Sequence, residues 1–268
     1  MKKTILLTGA TDGIGLETAN MLVAKGHHVL LHGRNQAKLS ELTSRLAAMG
    51  PGTVESYLAD LSSLAKVDRL AQEIAEQHAQ LDVIINNAGV YQAPVVRTAE
   101  GLDIRFAVNT LAPYVLTKQL SPLLPDGGRV VNLSSAAQAP VSLKALKGGP
   151  SLSHGAAYAQ SKLAITSWTR LFAQNHPHIL AVSVNPGSYL GSKMVKEAFG
   201  MEGREISIGA DIVSRAALSP EFEGHAGEYY DNDAGRFGPP HPEALDAEKS
   251  RQLMQTMEAL LINLLPGA

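Results

Sequence analysis

The chain of 268 residues carries 23 Lys+Arg against 25 Asp+Glu, a formal net charge of −2, with 45% hydrophobic and 18% charged residues, the balance of an ordinary water-facing domain. It contains no cysteine, which excludes a disulfide scaffold, a thiolate metal site and a cysteine nucleophile. Near-neutral charge without a basic stripe argues against a nucleic-acid partner, and a chain this long buries roughly three quarters of its unfolded surface in a core of its own.

Met1-Lys2-Lys3 precedes the short apolar run Thr4-Ile5-Leu6-Leu7. A secretory signal needs about 7–15 apolar residues, and a membrane span about 18 or more. Neither is expected here, and the expected location is cytoplasmic. Residues 4–8 read as a strand and 14–25 as a helix, with Leu16, Ala19, Leu22 and Val23 along one side. A strand at 29–32 and a helix at 36–49 follow, then a strand at 53–59. A helix over about 64–77, capped by Ser62 or Ser63, leads to a strand at 83–86. A long helix near 102–120, a strand at 129–133, a helix at 156–175 and a strand at 179–184 complete the pattern. Continuous apolar runs such as Ile5-Leu6-Leu7 and Val83-Ile84-Ile85 suit parallel strands buried on both faces. Their alternation with helices predicts right-handed βαβ crossovers and a doubly wound α/β fold: a mostly parallel, seven-stranded sheet with helices on both faces. No repeat, linker or low-complexity tract divides residues 1–268, so one domain is expected.

The first strand runs into Thr8-Gly9-Ala10-Thr11-Asp12-Gly13-Ile14-Gly15, a G-x-x-x-G-x-G turn between strand and helix. Glycine at 9 permits a tight turn; glycine at 13 or 15 lets a pyrophosphate approach the backbone and lets helix pack on strand. The helix that starts there offers free N–H groups and the positive end of its dipole. Such turns also occur without a ligand, but this one stands at the first strand–helix junction, where dinucleotides bind. At the end of the second strand, Gly33 stands where a carboxylate would hold the ribose 2′-hydroxyl of NAD. Arg34 beside it offers a planar fork suited to a 2′-phosphate. NADP(H) is therefore expected in preference to NAD(H).

Tyr158-Ala159-Gln160-Ser161-Lys162 places Tyr158 and Lys162 one helical turn apart on one face. A phenol titrates near pH 10 and is a poor base at neutrality. A positive charge about 4 Å away, at an effective dielectric near 20, contributes on the order of 4 kcal/mol, or roughly three pKa units. Such a pair can also be an ordinary surface contact.

Together, TGATDGIG, NNAG, Asn109, VVNLSS, YAQSK and NPG, in this order over about residues 3–191, resemble the short-chain dehydrogenase/reductase family in its single-domain, Rossmann-type branch. The resemblance implies a catalytic set of Asn109, Ser135, Tyr158 and Lys162. Tyr158 would be the acid/base, and Lys162 would lower its pKa and bind the nicotinamide ribose. Ser135, chosen over Ser134, would hold the substrate oxygen, and Asn109 would organise a water relay to the lysine. The expected cofactor contacts are Gly9, Thr11, Asp12, Gly13, Ile14, Gly15, Arg34, Asn35, Asp60, Leu61, Asn87, Ala88, Gly89, Tyr158, Lys162, Pro186 and Gly187. It further implies hydride transfer on a small carbonyl or alcohol substrate and a homodimer or homotetramer, associating through the helices that carry Asn109 and Tyr158. Apolar candidates for the substrate wall are Val90, Tyr91, Val141, Leu143, Tyr189, Leu190 and Met194, which suit a hydrophobic substrate.

Three departures stand out. Residues 136–155 lengthen the loop before Tyr158, which, with the Gly-Glu-Tyr-Tyr-Asp-Asn stretch at 227–232, is similar to retinol-dehydrogenase-like members. Gly191 stands where a threonine commonly meets the nicotinamide amide, with Ser192 as a substitute. Asp12 stands where many NADP-using relatives carry a basic residue. Residues 188–210, with Met194, Val195, Phe199 and Met201 among glycines, read as a substrate lid. No G-x-S-x-G elbow supports a hydrolase built on Ser134 or Ser135 with His154. With no H-E-x-x-H, no metal site is expected; His27-His28 and His176-Pro177-His178 read as ordinary surface or half-buried histidines. The competing functional class is a non-catalytic, NADP(H)-sensing protein on the same fold.

Overall fold

Residues along each central strand point alternately to two apolar cores, one on each face of the sheet. Leu6, Leu30, Ile84, Val130 and Ala181 face one core, while Ile5, Leu7, Val29, Leu31, Val83, Ile85, Val131 and Val182 face the other. This period of two is what a sheet covered on both sides requires. The computed structural model describes residues 1–265, with Ala198 and Phe199 described by their backbone alone; residues 266–268 and the Phe199 side chain expected in the lid lie outside the described residues.

The first half runs β1 (Thr4–Leu7), α1 (Gly13–Ala24), β2 (His28–Gly33), α2 (Gln36–Ala47), β3 (Thr53–Leu58), α3 (Leu64–Gln77) and β4 (Val83–Asn86). Ser63 is the N-cap residue of α3 but makes no side-chain cap bond, and Ser62 turns to Asp60 instead. The long helix expected next is interrupted: α4 (Ile104–Phe106) passes through a π-helical turn, Ala107–Leu111, into α5 (Ala112–Leu120). Then come β5 (Arg129–Leu133), α6 (Leu143–Leu146), α7 (His154–Asn175), β6 (Leu180–Asn185), α8 (Lys193–Phe199) and α9 (Ser207–Leu218). The chain closes with β7 (Tyr229–Asp231), β8 (Arg236–Gly238), α10 (Pro242–Leu245) and α11 (Ala247–Leu264).

The strands are ordered β3-β2-β1-β4-β5-β6-β7-β8, and all neighbours are parallel except β7 and β8. Among the described residues the sheet thus has eight strands, one more than expected. The addition is a hairpin that turns through Gly235 at φ +67° and packs Phe237 against Tyr230 and Phe222. Strand order reverses direction between β1 and β4, and there the carboxyl ends of the strands open a crevice.

The C-terminal helix packs on its own domain. Leu253, Met257 and Leu261 of α11 join the core that contains Leu111, Tyr114, Val115 and Trp168, and the Tyr114 hydroxyl donates to Glu258 at 2.8 Å. The helices that carry Asn109 and Tyr158, expected to meet another copy, therefore have this flank covered from within the chain. Among the described residues no helix is long and apolar enough to cross a membrane.

Candidate active site

The glycine turn is shaped first by its own protein. Gly9 adopts φ +67°, and a Cβ there would lie 2.9 Å from Ala88 Cα. A Cβ on Gly15 would lie 2.2 Å from the Gly9 carbonyl oxygen and 2.5 Å from Asn87 Nδ2. Asn87 is why the space is so tight: its amide donates to the carbonyls of Thr8 at 2.8 Å and Gly9 at 3.1 Å, lashing the end of β4 to the turn. Gly13 differs. Its φ is +54°, and a Cβ there would meet nothing nearer than Ile206 Cδ1 at 3.6 Å, so it leaves backbone open to the crevice. Asp12 caps α1, accepting from the Gly13 N–H at 2.8 Å.

The crevice encloses about 340 Å³. Its wall includes Gly9, Thr11, Asp12, Gly13, Ile14, Gly15, Arg34, Asp60, Leu61, Asn87, Ala88, Gly89, Tyr158, Lys162 and Pro186, fifteen of the expected cofactor contacts. Two others stand outside it. Asn35 spends its side chain capping α2, accepting from the Lys38 N–H at 3.0 Å. Gly187, at φ +122°, faces Leu190, Asn232 and Asp233. Of the apolar candidates, Val90, Tyr91 and Met194 line the crevice, joined by Val108. Val141 and Leu143 instead face a smaller cavity with Leu253 of α11, Leu190 is buried outside the wall, and Tyr189 is exposed with a left-handed φ of +53°.

At the inner end, Ser134 is buried and committed, with its hydroxyl against the Lys162 carbonyl and Thr166 Oγ1 at 3.1 and 2.6 Å. Ser135 is half-buried, and its side chain hydrogen-bonds the Tyr158 phenol. Tyr229, from the Gly-Glu-Tyr-Tyr-Asp-Asn stretch, steadies Ser135 by donating to its carbonyl at 3.1 Å. Lys162 Nζ lies 5.6 Å from the Tyr158 ring centre and donates to the Leu133 carbonyl at 2.6 Å. The expected charge effect on the phenol does not appear. Burial pushes Tyr158 above the ordinary phenol range, the Ser135 bond opposes this, and burial pushes Lys162 down to about 8. Asn109 sits in the π-helical turn, accepting from the Val90 N–H at 2.8 Å and donating to the Val90 carbonyl and Ser161. A Cβ on Gly89 would stand 3.5 Å from Asn109 Oδ1 and 3.7 Å from Lys162 Nζ, so both groups abut one bare backbone segment.

A model of the short chain dehydrogenase family matches residues 3–203. The chain belongs to this family. It is 32% identical over 254 residues to human polyprenol dehydrogenase, covering 86% of this chain and 77% of that protein. Human retinol dehydrogenase 14 is 30% identical over 299 residues, covering 97% and 86%. Among solved structures, an uncharacterized protein from Mycobacterium Paratuberculosis superposes with a TM-score of 0.78 at 27% identity, covering 96% of this chain and 92% of that one. The Pseudomonas aeruginosa RhlG/NADP active-site complex reaches 0.68 at 27% identity, covering 87% and 95%. This short-chain dehydrogenase/reductase is thus an oxidoreductase enzyme that uses a nicotinamide cofactor, which decides against a protein that only senses one.

Several features of the dehydrogenase were not expected from sequence. His32, buried at 2% exposure, lines the crevice and accepts from the Gly9 N–H at 3.2 Å, while its Nε2 lies 3.0 Å from the Ala59 carbonyl. Burial lowers its pKa to about 4. The unfolded chain takes this proton near pH 6.5, so the contribution of neutral His32 is complete above that value. It disappears as pH falls from 6.5 towards about 4, a change of at most about 3 kcal/mol. Unfolding by urea at pH 7 and pH 4 should show His32→Gln losing about that much less stability over the interval than the parent chain.

Gly191 has a packing reason: a Cβ there would lie 2.7 Å from the Glu202 carbonyl, because residues 190–191 pair with Arg204. Ser192 caps α8 and, with Lys193, Met194 and Glu197, forms part of the crevice wall. Arg204 meets Asp233 at 3.2 Å, and Asp233 also accepts from the Ser188 N–H and hydroxyl, fastening the root of this segment. The lengthened loop is pinned by Arg97, which donates to the carbonyls of Gly148 and Gly149 at 2.8 and 2.6 Å. His154 accepts from buried Arg105 at 2.8 Å rather than facing either serine.

Proposed function

We propose that this dehydrogenase/reductase uses NADP(H) on a hydrophobic alcohol or its carbonyl counterpart, with Tyr158 transferring the proton. The observation that carries this is the crevice itself. Arg34 stands at one end of its wall and the Tyr158 phenol and Lys162 ammonium at the other, with Ser135, itself outside the wall, hydrogen-bonded to the phenol. The residues fit a dinucleotide. Gly13 puts no Cβ in the way at the start of α1, so a phosphate can approach the backbone there, and one continuous wall holds both Arg34 and Lys162.

A nicotinamide held there would supply hydride to the substrate carbon in reduction or accept it in oxidation. Ser135 holds the substrate oxygen, and Tyr158 gives that oxygen its proton in reduction and recovers it in oxidation. Burial keeps the phenol protonated, which suits reduction at neutral pH. Lys162, steadied by Leu133 and adjoining Gly89, binds the ribose and returns protons through Asn109. Val90, Tyr91, Val108 and Met194 exclude water from the reacting end, and residues 188–210 act as its lid. Polyprenol dehydrogenase and retinol dehydrogenase 14 are named for apolar alcohols, which supports that substrate class.

For NADP(H), Arg34 has an ally in Lys38, whose Nζ lies 3.7 Å from Asp12 at the same mouth. Arg34 also helps hold Asp60 below the usual carboxylate range: burial pushes that carboxyl up, but bonds from Ser62 and the charges of Arg34 and Lys66 outweigh it. A charge-assisted bond to phosphate is worth about 1.5–3 kcal/mol, so Arg34→Ala should raise KM for NADPH about 10–100-fold. KM for NADH should stay nearly constant. Equal loss for both cofactors in steady-state assays would remove the case for NADP(H).

A further inference from the structure

His28 opens β2, Glu55 lies in the middle of edge strand β3, and His78 follows the last turn of α3. Helices run back across the sheet, so these three meet towards the end opposite the crevice, which β2 reaches only with His32 and Gly33. Their ligand atoms all lie within 4.8 Å of one another. Glu55 spans the two rings: His28 Nε2 is 3.1 Å from Oε1, and His78 Nε2 is 3.3 Å from Oε2. Two ligands about 2.0–2.1 Å from a tetrahedral zinc ion stand about 3.4 Å apart, close to this spacing.

The surroundings already orient the ligands. His28 Nδ1 is 2.6 Å from Thr53 Oγ1, which turns Nε2 towards Glu55. The Tyr57 hydroxyl donates to Glu55 Oε2 at 3.1 Å, is 2.8 Å from Gln77 Oε1, and lies 2.8 Å from His78 Nε2, a contact that an ion on that nitrogen replaces. The histidine side chains are 16% and 12% exposed and Glu55 is 45% exposed, so an ion has a path in and a fourth position open to water.

We propose that His28, Glu55 and His78 form a binding site for a divalent transition-metal ion of the zinc type, separate from the reaction crevice. Two imidazoles and one carboxylate with an open position are a donor set that suits Zn²⁺. The ion clips edge strand β3 to β2 and to the end of α3, tying down the strand that otherwise presents an unpaired edge. It takes no part in turnover.

Titrating the chelator-treated whole chain with Zn²⁺ tests this. One saturable equivalent is expected, together with a rise in the thermal unfolding midpoint. Co²⁺ should give the visible absorption of a tetrahedral site. His28→Ala and His78→Ala should each weaken Zn²⁺ binding at least about 10-fold, given that loss of a mere supporting contact costs 10–100-fold. Their combination should abolish both binding and the midpoint rise. The chain carrying His176→Ala and His178→Ala should bind as before. His78 bonds α3 through its backbone N–H, so the variants should remain folded, which their melting in chelator checks. Absence of a saturable equivalent, or binding unchanged in the His28/His78 double variant, overturns the site. Turnover plays no part in these readouts, so the result stands apart from the assignment of the reaction.

Discussion

Tyr158→Phe lowers turnover by on the order of 10²–10⁴-fold, the usual contribution of a positioned acid, while the fold and NADPH affinity remain. The ring keeps its edge contact with Tyr91 at 5.1 Å, and Lys162 keeps its bond to Leu133, so the substitution removes the hydroxyl and its bond to Ser135 and little else. The parent enzyme should also show a directional pH profile. Burial raises the phenol above its ordinary value near 10, so carbonyl reduction should hold steady through neutral pH. Alcohol oxidation, which needs the ionised oxygen, should climb as pH rises towards that value. Stopped-flow turnover and cofactor titration by fluorescence measure the two quantities. Substantial activity in the Tyr158→Phe variant would end the assignment of Tyr158.

Gly15→Ala should unfold the nucleotide end of the sheet. Its Cβ would enter to 2.2 Å from the Gly9 carbonyl, a backbone atom held by Asn87, so neither side can give way. Overpacking of side chains costs about 1–3 kcal/mol, and a clash with anchored backbone belongs at or above the top of that range. Gly13→Ala has room at 3.6 Å but must hold φ +54°, a strain of about 1–2 kcal/mol. Urea unfolding should therefore rank Gly15→Ala well below Gly13→Ala in stability. NADPH binding should be impaired in both. Equal stabilities would show that Asn87 does not fix the turn.

The two substitutions separate what the chain declares locally from what only its fold assembles. The glycine turn, the strand–helix alternation and the four-residue step from Tyr158 to Lys162 depend on neighbours in sequence, and periodicity alone exposes them. Asn35 shows a related limit: a polar residue after a strand looks the same in sequence whether its side chain meets a ligand or, as here, caps the next helix. The eighth strand, three residues of a short hairpin, leaves almost no periodic trace. The raised phenol depends on burial, which outweighs the opposing Ser135 bond, and the sequence spacing accounted only for the lysine charge. Other features join distant segments. His32 supports Gly9 and Ala59 across neighbouring loops, the π-helical turn aligns Asn109 with Val90 and Ser161, and Glu55 gathers histidines from two further elements. No window of residues contains those partners.

The position of α11 bears on how the enzyme is made. Synthesis delivers Tyr158 and the rest of α7 well before residues 247–264, yet Leu253, Met257 and Leu261 complete the core around Tyr114 and Trp168. The nascent chain must therefore leave the ribosome with the flank of the helix that carries Tyr158 bare, its large apolar residues facing water or a chaperone. That flank closes only when residues 247–264 emerge, so the helix bearing Tyr158 gains its cover late in synthesis although its motif is spelled earlier.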